Sequence, residues 1–139
     1  MSQRILVDIN VLMDVLTERH PHCDASLAVW IAVYEHKVAG WVSADSFSTL
    51  YYLLRKTLNH TETHRGIRKV LEVFEVAPLG AALLEKALHS PLDDYEDAIQ
   101  YECALDVKAT AIITRDQHFR HAAIPVMTPA EFLAKFNLA

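Results

Sequence analysis

Three aspartates, Asp8, Asp97 and Asp116, are placed to do chemistry in this sequence, because each falls where a strand ends or a helix begins. Asp8 closes the apolar run Ile5-Leu6-Val7, which reads as a strand buried on both faces in the middle of a parallel sheet. Asp116 follows Ile112-Ile113-Thr114, and Asp97 lies in the first turn of a predicted helix. In open α/β sheets ligands bind outside the carboxyl ends of the strands, and helices start along the same edge, so three distant carboxylates can converge there. Alone, Asp8 or Asn10 would be read as the cap of the next helix; the recurrence of acids at other strand ends favours a site. A set of carboxylates without Cys or paired His suits a hard divalent cation, Mg²⁺ or Mn²⁺, better than zinc.

The elements that must position these acids follow from hydrophobic periodicity. A short helix is predicted over Val11 to Thr17, and a second from Ala25 to His36. A strand over Val38 to Ala44 leads to a helix capped by Ser43 or Asp45 and running to about Leu58. Thr61 is expected to cap a helix over Glu62 to Phe74, followed by a strand from Glu75 to Ala77 and a helix from Ala81 to Leu88. The Asp97 helix spans Asp94 to Leu105, with strands at Ala109 to Thr114 and Ile124 to Met127. Thr128-Pro129-Ala130-Glu131 is a capping box with proline at the first helical position, opening a last helix through Phe136. Short apolar strands alternating with amphipathic helices indicate an α/β fold of three layers, α/β/α, around a central parallel sheet.

Composition bounds the rest. The 139 residues, 52% of them hydrophobic, suit a single domain covering 1–139. No apolar run approaches the roughly 18 residues of a membrane span, and the amino terminus enters a strand without signal-peptide features. The expected location is the cytoplasm, in keeping with two cysteines, Cys23 and Cys103, that share no CxxC spacing. A net charge of −5 argues against a broadly basic nucleic-acid binder, so any phosphate contact must come from a local patch. One candidate patch for RNA is Arg55, Lys56, His64, Arg65, Arg68 and Lys69, of which the Arg65 to Lys69 group reads equally as an ordinary charged helix face; Arg115 and Arg120 lie on the acid-bearing edge, and Arg115 has the stronger case for RNA because it adjoins Asp116. His118 is a further candidate for metal or phosphate, whereas His60 and His64 read as a solvated face.

Five segments in order resemble PIN domains of the VapC type, the ribonuclease toxins of bacterial and archaeal toxin–antitoxin pairs. They are Val7-Asp8-Ile9-Asn10-Val11-Leu12-Met13-Asp14; Val42-Ser43-Ala44 through Leu50-Tyr51-Tyr52-Leu53-Leu54-Arg55-Lys56; Asp94-Tyr95-Glu96-Asp97-Ala98-Ile99-Gln100; Ile112-Ile113-Thr114-Arg115-Asp116; and Ile124-Pro125-Val126-Met127-Thr128-Pro129. The resemblance implies an RNA endonuclease dependent on Mg²⁺ or Mn²⁺, with Asp8 and Asp97 as principal ligands and Asp116 completing the site. It implies that Asn10 orients Asp8 and that Thr114 lies beside the scissile phosphate. It also implies a homodimer and an antitoxin that covers the acidic site.

The chain departs from the family pattern in two places. Ser48-Thr49 stands where a Glu commonly precedes Leu-Tyr-Tyr, so Thr49 removes one acid, and Asp116 then His118-Phe119 replaces a common Asn then Asp-Phe. Asp94 is a candidate substitute ligand, although its position also suits a helix cap; Asp45 lies close to the missing acid, and Asp14, Asp93 and Glu96 read as structural or solvent-facing. The competing function is a PIN-fold module that binds RNA or a protein partner without cutting. A phosphohydrolase of the haloacid dehalogenase type needs a second Asp two positions after the first, where this chain has Asn10.

Overall fold

The protein is described by a computed structural model covering residues 3–116, 119 and 122–138. Strands β1 (Gln3–Val7), β2 (Val38–Ser43), β3 (Glu75–Ala77), β4 (Ala111–Ile113) and β5 (Val126–Met127) form one sheet in the order β3-β2-β1-β4-β5. Every pairing is parallel. The helices are α1 (Ile9–Leu16), α2 (Cys23–Tyr34), α3 (Ser46–Arg55), α4 (His60–Val73), α5 (Ala81–Leu88), α6 (Tyr95–Asp106) and α7 (Pro129–Lys135).

The unbroken apolar run in β1 reflects helices on both faces of the sheet. Successive strand side chains alternate in direction, so Ile5 and Val7 enter a core with Val29, Leu50, Leu54, Val70 and Phe132, while Leu6 enters a second core with Ile99, Cys103 and Ile112. All three β1 side chains are buried, and each contributes about 1.5–3 kcal/mol relative to exposure. This is the three-layer α/β/α arrangement expected from the sequence, with β1 at its centre.

Several boundaries differ from the sequence reading. α1 starts two residues earlier than Val11, β4 is shorter than Ala109 to Thr114, and β5 starts at Val126 rather than Ile124. Asp45 occupies the position before α3 with helical backbone angles (φ −67°, ψ −21°) and makes no capping hydrogen bond. A side-chain cap ordinarily needs an extended backbone at that position. Ser43 does not cap either: its Oγ lies 2.7 Å from Ser46 Oγ. The cap of α4 is Asn59, not Thr61; its backbone is extended and its Oδ1 accepts from the Glu62 amide at 2.8 Å.

Four helices end in a left-handed residue that is not glycine. Glu18, His36, Lys108 and Asn137 take positive φ just past α1, α2, α6 and α7. The amides one residue further on donate back to Asp14, Ala32, Ala104 and Leu133, closing the same reverse turn each time.

Candidate active site

The chain runs outward from β1 through β2 to β3, then returns to place β4 on the other side of β1. The crevice between the carboxyl ends of β1 and β4 is therefore the topological switch point, where α/β sheets hold their ligands. Asp8 extends β1 into this crevice, its amide donating to Ile113 O at 3.0 Å. Its side chain is 9% exposed and accepts four hydrogen bonds. Oδ1 accepts from the Ile9 amide (2.7 Å) and Gln100 Nε2 (2.9 Å). Oδ2 accepts from Thr114 Oγ1 (2.8 Å) and Asn10 Nδ2 (3.2 Å). Four donors match the lone-pair capacity of an ionised carboxylate.

Thr114 joins the second strand to this hub. Its buried hydroxyl donates to Asp8 and accepts from Asn10 Nδ2 at 3.0 Å and from the Asp116 amide at 2.9 Å. Asp116 is thereby tied through its backbone to the rim of the crevice and is half-buried. Asp97 is also half-buried, one turn before Gln100 on α6, and Gln100 is the residue that bridges α6 to Asp8. Sequence reading did not assign Gln100 a role, although its place three residues after Asp97 marks it as a neighbour on the helix surface. Asp94 caps α6, its Oδ1 accepting from the Asp97 amide at 3.0 Å.

Arg115 does not extend from the rim as a free cation. Nε and Nη2 donate to Oδ2 and Oδ1 of Asp14 at 2.7 and 2.8 Å, and Asp14 is fully buried. His118 and Arg120 lie outside the described residues.

Thr49, at the place of the missing family acid, is exposed on α3. Among the described residues, the buried oxygens without a hydrogen-bond partner include Asp45 Oδ1, just before α3, and Gln100 Oε1, on α6. The buried Cys103 thiol, one turn after Gln100, is pushed up to about 12, first by burial and then by the negative charges of Asp45, Asp106 and Glu102. Oxygen donors of this kind, some with unused acceptor capacity, fit a hard divalent cation. Among the described residues no group of three or more His, Cys, Asp or Glu is already arranged to hold one.

The family model described as PIN domain matches residues 4–118. Ribonuclease VapC1 of Aquifex aeolicus (strain VF5) is 29% identical over 141 residues, covering 98% of this chain and 97% of the relative. Among solved structures, Mycobacterium tuberculosis VapC20, titled a sarcin-ricin loop cleaving toxin, superposes with a TM-score of 0.71 at 17% identity over 86% of this chain and 95% of its own. A toxin–antitoxin complex from Klebsiella pneumoniae contains a chain with a TM-score of 0.68 at 19% identity, over 90% of this chain and 97% of that one. Among the described residues, no helix is long and apolar enough to cross a membrane.

Proposed function

Because the chain belongs to the PIN-domain family, we propose that it is a VapC-type toxin, an endoribonuclease that hydrolyses RNA phosphodiester bonds with Mg²⁺ or Mn²⁺. The observation that carries this reading is the position of Asp8: a carboxylate at the switch point, held by donors from the start of α1, from β4's end and from α6. Asp8 and Asp97 are the principal cation ligands and Asp116 completes the set. The bound cation supplies an activated water and stabilises charge on the phosphate under attack.

The chain's own residues prepare that chemistry. Asn10 and Gln100 fix the plane of the Asp8 carboxylate from opposite oxygens. Gln100 donates to Asp8 from α6 while its own Oε1 is buried without a hydrogen-bond partner among the described residues, so that oxygen would be available to help hold a cation beside Asp8. Thr114 lies beside the scissile phosphate while holding the Asp116 amide. Arg120 and His118 meet the RNA backbone. Asp94, engaged as a cap, is left out of the ligand set. The partners in this reading are RNA, a second copy of the chain, and an antitoxin that covers the acidic edge; its location is the cytoplasm.

The test is a Mn²⁺ titration followed by electron paramagnetic resonance, run beside cleavage of a mixed-sequence RNA with and without EDTA. Expected are saturable Mn²⁺ binding, cleavage that EDTA abolishes, and loss of both in a folded Asp97→Ala variant. Retained cleavage in that variant removes Asp97 from the site. Absence of both binding and cleavage in the native chain discards the enzyme reading in favour of a non-cutting PIN module in which Thr49 has cost the site its cation.

A further inference from the structure

We infer that Asp14 and Arg115 form a buried latch that holds the strand-end segment 114–116, and with it Asp116, in position for cleavage, so that Arg115 acts as a positioning residue rather than as an RNA contact. The inference rests on the nuclease reading for its catalytic consequence, but not for its geometry.

Asn10 and Asp14 are four residues apart on α1 and so share a face of that helix. Both grip the same segment. Asn10 Oδ1 accepts from the Arg115 amide at 3.1 Å, while Asp14 takes the Arg115 guanidinium in the two-pronged arrangement described above. Asp14 is in turn fixed from α2 by Ser26, whose buried Oγ donates to Oδ2 at 2.8 Å. The segment is therefore tied to α1 through the main chain and the side chain of one residue, and α1 is tied to α2 at the same carboxylate.

A fully buried carboxylate is costly to leave unpaired, so Arg115 is committed to Asp14. The side chain of Arg115 is 26% exposed, too little for it to reach out without uncovering that charge. Residues 114 and 116, on either side, carry the hydroxyl that holds Asp8 and the carboxylate at the rim. A displacement of Arg115 would pass directly to both. Lysine keeps the charge but lacks the planar fork needed to satisfy both Asp14 oxygens.

The test compares native protein with Arg115→Lys and with the apolar pair Asp14→Leu/Arg115→Met. Each is measured for thermal unfolding, for kcat and KM on a single-stranded RNA with Mn²⁺, and for hydrogen exchange at the Arg115 and Asp116 amides relative to those of β1. Arg115→Lys is expected to remain folded, to lose about tenfold or more in kcat with KM within about twofold, and to exchange the two amides at least about tenfold faster. The apolar pair should regain thermal stability without regaining kcat. Two activity results overturn the inference: a rise in KM with a salt dependence reduced by about one charge, which marks a phosphate contact, or recovery of kcat together with stability in the apolar pair, which marks a purely structural role. If the native chain cleaves nothing, the nuclease reading fails separately, and unchanged amide exchange in Arg115→Lys still refutes the latch.

Discussion

Replacing Asp8 with asparagine tests whether this carboxylate is held by a built network or merely crowded among acids. Asparagine is nearly isosteric, but only one of its two terminal atoms accepts hydrogen bonds. The less costly orientation keeps the oxygen on the Ile9 amide and Gln100 Nε2, and puts the NH₂ where Oδ2 now meets Thr114 and Asn10. The Asn10 Nδ2 donor then faces another donor, and the Thr114 hydroxyl must turn its hydrogen elsewhere. Two hydrogen bonds to a charged acceptor are lost, worth about 1.5–3 kcal/mol each. One weaker bond from the new NH₂ and relief from burying a charge offset part of this. The expected net cost is about 2–3 kcal/mol, enough to lower the melting temperature by several degrees in a domain of this size. Urea unfolding in EDTA, followed by circular dichroism, measures it with no cation contributing. In a site dominated by repulsion among carboxylates, neutralising one would stabilise the fold. A midpoint for Asp8→Asn equal to or above that of the native chain would refute the network argument.

Two further outcomes follow from packing and burial. An alanine Cβ at Gly40 in β2 would lie 2.7 Å from Val33 Cγ2 and 2.8 Å from Phe74 Cδ1, inside a packed core. Gly40→Ala should therefore cost about 1–3 kcal/mol by urea unfolding, with the far-ultraviolet spectrum retained. The Cys103 thiol has its folded pKa raised from 9.0 to about 12, so the folded state holds this proton where the unfolded chain releases it. Stability from this group is present below pH 9.0 and is lost as pH rises through that window towards about 12. The unfolding midpoint of the native chain should fall over that range by more than that of Cys103→Ala, and Cys103 should resist iodoacetamide at neutral pH until the chain unfolds.

Local pattern made much of the architecture legible. The runs Ile5-Leu6-Val7 and Ala111-Ile112-Ile113 are apolar at every position because both faces of the sheet are covered, and that needs no knowledge of neighbours. The acids after them, Asp8 at once and Asp116 three residues on, stand out because charge so soon after such a run must lie at the sheet's edge. Helix ends were harder to read. The usual signal for a stop is glycine in the left-handed conformation, and here Glu18, His36, Lys108 and Asn137 fill that place. The caps of α3 and α4 are illegible in sequence for a related reason: Asp45 before α3, and Asn59 and Thr61 at α4, are all suitable residue types, and only the backbone angles decide which of them caps.

By itself, then, the sequence determined the layered parallel sheet, the central place of β1 and the acids at its carboxyl edge, since each follows from the order and polarity of nearby residues. Tertiary structure alone decided how those acids are held. Gln100 reaches Asp8 across 92 positions, Thr114 across 106, and Arg115 reaches Asp14 across 101. The sequence, by setting Arg115 next to Asp116, points it towards RNA. The fold chooses otherwise by burying Asp14, because a carboxylate removed from water must have its counter-ion beside it.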